Sequence, residues 1–176
     1  MRILKLGFVI ALLAACATAT TIIPMSVEEL TQKAGAIVEG RAMESWSEWN
    51  PQHTIIYTYT RFQVARTLKG QQASLITVKQ LGGIAGGYAQ KVDGVRHFQA
   101  GEDALLFLRN SIANDGKMVI VGLMQGQFRM YADASGQKVV SNGIPQLARA
   151  GEVAQSYGAA MPLVAIEQRI AKAMTK

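Results

Sequence analysis

Between residues 75 and 108 the chain passes from one apolar, strand-like run, Leu75–Leu81, through a glycine-rich segment to a second run at residues 104–108. The segment contains Gly82, Gly83, Gly86, Gly87, Gly94 and Gly101 and closes with Phe98, Gln99, Ala100, Gly101, Glu102 and Asp103. Glycine permits positive φ and close backbone packing, so the segment reads as a long loop joining two strands of one sheet. A loop of roughly 20 residues is longer than ordinary connections, and loops of that size are often functional. Its closely spaced N–H groups could cradle an anion. It is not a phosphate loop, because no Lys-Ser or Lys-Thr follows, and no helix begins after it as a dinucleotide fingerprint requires. It also carries Tyr88, Lys91, Arg96, His97 and Phe98, a mixture suited to a protein or glycan partner. Residues 82–98 are therefore the candidate recognition element. Tyr88 and Phe98 are its expected apolar anchors, and Lys91, Arg96 and His97 its polar contacts.

The turns and patterns around this segment predict a mainly β chain. Ser26 through Glu29 spells a capping box and starts a short helix over residues 26–34, ended by Gly35. Residues 36–43 read as a strand, followed by a loop holding Trp46 and Trp49 and ending at Asn50-Pro51. Two tryptophans beside a loop are either ligand-stacking groups or a roof on the core. Residues 54–68 alternate with bulk on both faces at first and polarity on one face later, as in a long bent strand half covered on both sides. Lys69-Gly70 turns into a strand over 74–81. After the glycine segment, strands follow at 104–109, 118–123, 127–132 and, at the sheet edge, 137–141. Turns at Asn114-Asp115-Gly116 and at residues 133–136 separate them. Helices are expected at 147–157 and 161–174, the second with Pro162 in its first turn. Short, turn-punctuated strands with helices only at the ends suggest a small closed or half-closed antiparallel barrel of OB type.

Length and charge narrow the class. A chain of 176 residues suits one domain behind an export signal. Arg2 and Lys5 precede an apolar run at residues 6–15, too short for the ~20 residues of a membrane span. Ala17-Thr18-Ala19 would release a soluble protein beginning at Thr20. Alternatively, Leu13-Ala14-Ala15-Cys16 would make Cys16 a lipidated first residue, the one route by which this chain would meet a membrane. The expected organisation is a signal at 1–19 (1–15 for a lipoprotein), a barrel at 20–144 and a helical segment at 145–176. Cys16 is the chain's one cysteine, so no disulfide can form within it and the core must hold the fold. Without Arg2 and Lys5 the chain has 16 basic and 12 acidic residues. The bases are scattered and form no phosphate-tracking stripe, which argues against nucleic acid.

Reactive chemistry is sparse. His53 and His97 stand far apart with no metal-ligand spacing, and no nucleophile motif occurs. Glu102 and Asp103 are adjacent strand residues that point to opposite faces, so a turn-closing role suits them better than joint action on one bond. No cofactor or metal is expected.

Several ordered blocks resemble a widespread set of small exported bacterial proteins. They are Ile37-Val-Glu-Gly-Arg41, Phe62 and Val64 before Leu68-Lys-Gly70, Gly82-Gly83, Phe98 before Gly101-Glu102, and Leu105-Leu-Phe-Leu108. Val121-Gly122 and Gly126 with Phe128 continue the pattern. That resemblance implies export and fold but no reaction. A more distant likeness is to netrin-like modules and tissue inhibitors of metalloproteinases, which implies an OB-type barrel. Those inhibitors use an N-terminal cysteine held by disulfides, and Cys16 has no partner for such a device. The expectation is an exported, non-enzymatic module binding an envelope or secreted protein. The alternatives are an inhibitor or accessory subunit of an exported protease, and a small hydrolase using Glu102, Asp103 or His97.

Overall fold

A computed structural model describes residues 23–143 and 159–175. Cys16, the expected leader, the candidate helix at 147–157 and the expected boundary between residues 144 and 145 lie outside the described residues. The first element, α1 (Val27–Lys33), is started by the capping box: the Glu29 amide donates to Ser26 Oγ at 3.1 Å, and the Ser26 amide to Glu29 Oε2 at 2.7 Å. Strands β1 (Ala36–Trp49), β2 (Ile56–Lys69) and β3 (Leu75–Leu81) follow. A small hairpin comes next, β4 (Gly83–Ala85) and β5 (Tyr88–Gln90). Then come β6 (Asp103–Asn110), β7 (Met118–Ile120), β8 (Gln127–Ala132), β9 (Lys138–Ser141), β10 (Met161–Pro162) and α2 (Leu163–Met174).

Five strands close on themselves in the order β1-β2-β3-β7-β6 and back to β1. All these pairings are antiparallel except β3 with β7, which is parallel through Val78↔Met118 and Lys79↔Val119. This is the strand order of an OB-type barrel, so the expected mainly β fold with short terminal helices is correct and the barrel is closed. β1 can pair with both β2 and β6 because it coils. Its ladder to β2 shifts register at Ile37/Val38, Glu39/Gly40 and Ala42/Glu44, and bulges of this kind increase local twist. A side chain at Gly40 would meet the Gln63 carbonyl oxygen at 2.8 Å, which requires glycine there.

Alternation along β6 divides the core into two chambers. Ala104, Leu106 and Leu108 point into the barrel with Val38, Phe62 and Val78. Leu105 and Phe107 point outward under both helices, against Val27, Leu30, Ile166 and Ile170. β6 is therefore buried on both faces, and the C-terminal helix belongs to the same core as the N-terminal one. Ion pairs tie down the outside of this layer. Arg169 grips Glu28 through two hydrogen bonds of 2.8 and 2.7 Å, and Arg66 joins Glu39 to Glu167.

The structure corrects four local expectations. β1 runs on past Met43, so Trp46 and Trp49 lie on a strand paired to Tyr59 and Ile56, and neither belongs to the two core clusters. β7 stops at Ile120, because the following residues turn, with Gly122 at φ 68° and Leu123 at φ 66°. β9 is not the edge, since β10 pairs with it through Met161↔Val140. Pro162 precedes α2 in an extended conformation rather than occupying its first turn.

Candidate functional site

Residues 82–98 are not one loop. The first part is the β4–β5 hairpin, with Ala85↔Tyr88 as its last pair and Gly86 (φ 57°) and Gly87 (φ 79°) as the two-residue turn. Positive φ at both central positions is the type I′ turn that matches strand twist, and glycine supplies it without strain. The hairpin is docked on the barrel by its base. The Gly82 amide donates to the Ile56 carbonyl at 2.8 Å, Thr58 Oγ1 to the Gly82 carbonyl at 2.7 Å, and the Ile56 amide to Gln90 Oε1 at 2.7 Å. Because Thr58 Oγ1 spends its proton on Gly82, the Ser47 hydroxyl 2.8 Å away is the donor in their contact. Gly83 sits against this hydroxyl pair, and a side chain there would begin 2.4 Å from each oxygen. Gly86 and Gly87 thus form the turn, and Gly82 and Gly83 the docking.

The docked hairpin holds two large apolar side chains out in solvent. Ile84 is 73% and Tyr88 67% exposed. Tyr88 is braced from beneath by the edge of Trp49, with ring centroids 5.8 Å apart, and Trp49 in turn carries His53 stacked at 6.0 Å. Trp49 therefore supports the hairpin, a role that neither sequence reading of the tryptophans provides.

The second part, residues 91–102, turns inward. Phe98 is not the apolar anchor its place in the segment suggests: it is 2% exposed and sits edge-on to Phe62 inside the barrel, centroids 5.0 Å apart. It is a plug. The Arg129 guanidinium covers its other side at 4.7 Å and donates from Nη2 to the His97 carbonyl at 3.0 Å. His97 Nε2 lies 2.9 Å from the Leu81 carbonyl, which can only accept, so this nitrogen carries the proton. Buried Gln80 of β3 donates to the Arg96 carbonyl and to Gln127 Oε1 of β8, so residues 96–98 seal the wall where β3 and β8 have no direct ladder. Phe98 is thus a core residue and half-buried His97 is tied to the Leu81 carbonyl, whereas Lys91 and Arg96 remain exposed.

Glu102 closes this turn, as expected, by accepting from the Gln99 amide at 2.8 Å. It also pairs with Arg129 and, at 3.5 Å, with Arg96. Burial raises its carboxyl, but the Arg129 hydrogen bond, the Gln99 amide and both guanidinium charges outweigh burial and hold it below the usual glutamate value. Asp103 turns instead to Arg41 at 3.0 Å. Among the described residues no group of three or more His, Cys, Asp or Glu is placed to hold a metal ion.

Cations and aromatics on the barrel's outer wall form an arrangement that sequence reading missed. Trp46 stacks on Tyr59 at 5.6 Å, Arg61 lies over Trp46 at 5.7 Å, and Lys79 Nζ lies over Tyr57 at 4.1 Å. The polar residues interleaved with these aromatics hid the pattern, and the β1–β2–β3 register, which places them side by side, is non-local. Neither a scan against family models nor a search of curated proteins gives a match.

Proposed function

We propose that this chain is an exported, non-enzymatic binding module of the bacterial cell envelope, and that the β4–β5 hairpin is its recognition element. Tyr88 supplies the apolar contact on one face of the hairpin and Ile84 on the other, with Lys91 and Arg96 as the polar contacts. The observation carrying this reading is the pair of large, solvent-exposed side chains on a hairpin whose base is pinned to the barrel. Soluble proteins gain nothing in stability from such exposure, whereas preorganised apolar anchors lower the entropic cost of binding. The export motif and the resemblance to small exported bacterial proteins support the envelope as its location.

The test is affinity capture from envelope extract with the wild type and an Ile84→Ala, Tyr88→Ala double variant. Circular dichroism and thermal melting should match, because both side chains are mostly in solvent. A protein retained by the wild type and lost by the variant supports the reading. Equal retention by both, or retention of nothing, overturns it.

A further inference from the structure

We infer a second binding site, distinct from the hairpin: a cleft of about 490 Å³ across the β3–β7–β6 wall that takes an acidic peptide segment bearing a large apolar side chain. The register builds its floor. Val119 of β7 is paired on one side with Lys79 of β3 and on the other with Arg109 of β6. Directly paired residues share a face of the sheet, so two cations flank one apolar side chain, about 10 Å apart at two strand spacings. The walls come from the flanking turns, Ile112 after β6 and Leu123 after β7, which are 89% and 42% exposed. Leu123 holds a left-handed φ of 66°, a conformation that costs a branched residue energy and that clusters at binding sites.

Charge and surface chemistry choose the occupant. Without Arg2 and Lys5 the chain carries 16 basic and 12 acidic residues, and in the cleft Lys79 is largely covered and paired with Asp115 at 3.4 Å, which leaves Arg109 as the exposed cation for a ligand's carboxylate. An acidic ligand is therefore favoured, and the exposed Ile112 and Leu123 call for an aliphatic or aromatic side chain beside the carboxylates. A nucleic acid strand would need open aromatic faces on which bases stack. Here Lys79 already covers Tyr57, and Tyr59 is only 6% exposed. The volume falls within the range of ligand clefts, as a side-chain pocket for a peptide should.

The test is a ¹⁵N-NMR titration of the chain with a blocked hexapeptide of alternating glutamate and leucine. The expected result is that amides of Lys79, Arg109, Ile112, Val119 and Leu123 shift while those of Ile84 and Tyr88 do not. Arg109→Glu and Ile112→Ser, both surface changes, should each weaken binding about fivefold or more, the scale of one partly exposed contact. A lysine–leucine peptide that binds as well, shifts confined to other residues, or no shift at all would overturn the inference. So would oligothymidylate or phosphatidylglycerol vesicles moving the same amides at lower concentration, which would reassign the site. None of these results touches the hairpin, whose own reading fails only with the capture experiment.

Discussion

The internal position of Phe98 makes the strongest prediction, because it separates a plug from a recognition residue. Replacing Phe98 with alanine removes a ring that is 2% exposed, edge-on to Phe62 at 5.0 Å and capped by Arg129 at 4.7 Å. Large-to-small core changes of this kind cost about 3–5 kcal/mol, from lost transfer energy plus the unfilled cavity. The β strands around it cannot collapse into the space without breaking their ladders, so the upper half of that range is expected. Tyr88→Ala removes a ring that is 67% exposed and should cost less than about 1 kcal/mol. Urea unfolding followed by circular dichroism would measure both, and an unchanged m value would confirm that stability alone has moved. A Phe98→Ala cost under about 1 kcal/mol, or a larger cost at Tyr88 than at Phe98, would refute the plug.

Three further outcomes follow from the geometry. Gly83→Ala should destabilise by about 2–4 kcal/mol, because its new carbon would strike Ser47 and Thr58 at φ 138°, whereas Gly87→Ala, in open space, should cost only about 1 kcal/mol; thermal melts would rank them. Carboxyl titration by ¹³C-NMR should place Glu28, held by Arg169, and Glu102 below the ordinary glutamate value, and Glu39 above it because burial outweighs Arg66. By linkage, the Glu28 and Glu102 contributions are present above about pH 4.5 and lost on acidification, so Glu102→Gln should flatten the acid limb of the stability profile. Glu39 has the opposite sign: its contribution is present below about pH 4.5 and lost as pH rises through its folded value, so Glu39→Gln should flatten that limb instead.

Local chemistry was legible in the sequence where one short signal decides it. Ser26 and Glu29 predict the helix start, and the two-sided bulk of residues 56–60 predicts a strand covered on both faces. The β4–β5 hairpin was within reach, since Gly86-Gly87 between Ile84-Ala85 and Tyr88-Ala89 is a two-residue turn signal; the surrounding glycines obscured it. Phe98 was not legible, because one aromatic among charged and small residues has no period to tell inside from outside. β1 outruns its sequence pattern for a related reason. Glu44, Ser45, Ser47 and Glu48 look like loop, yet they pair along β2. The Lys79–Val119–Arg109 row is invisible in sequence, because it depends on which distant strands become neighbours.

The parallel seam between β3 and β7 has a kinetic consequence. Only two residue pairs close the barrel there, and Val78 and Met118 are joined through the hairpin, the plug and all of β6. Contacts so distant along the chain form after the local hairpins, since the closure entropy must be met first. The β1–β2 ribbon should therefore gain protection from amide exchange early in refolding, and Val119 late. In the native state the same two-pair seam should open more readily than the long β1–β2 ladder, so Val119 should exchange ahead of the β1–β2 amides. A ligand lying across Lys79, Val119 and Arg109 would bridge that opening and slow unfolding in proportion to its affinity for the closed form.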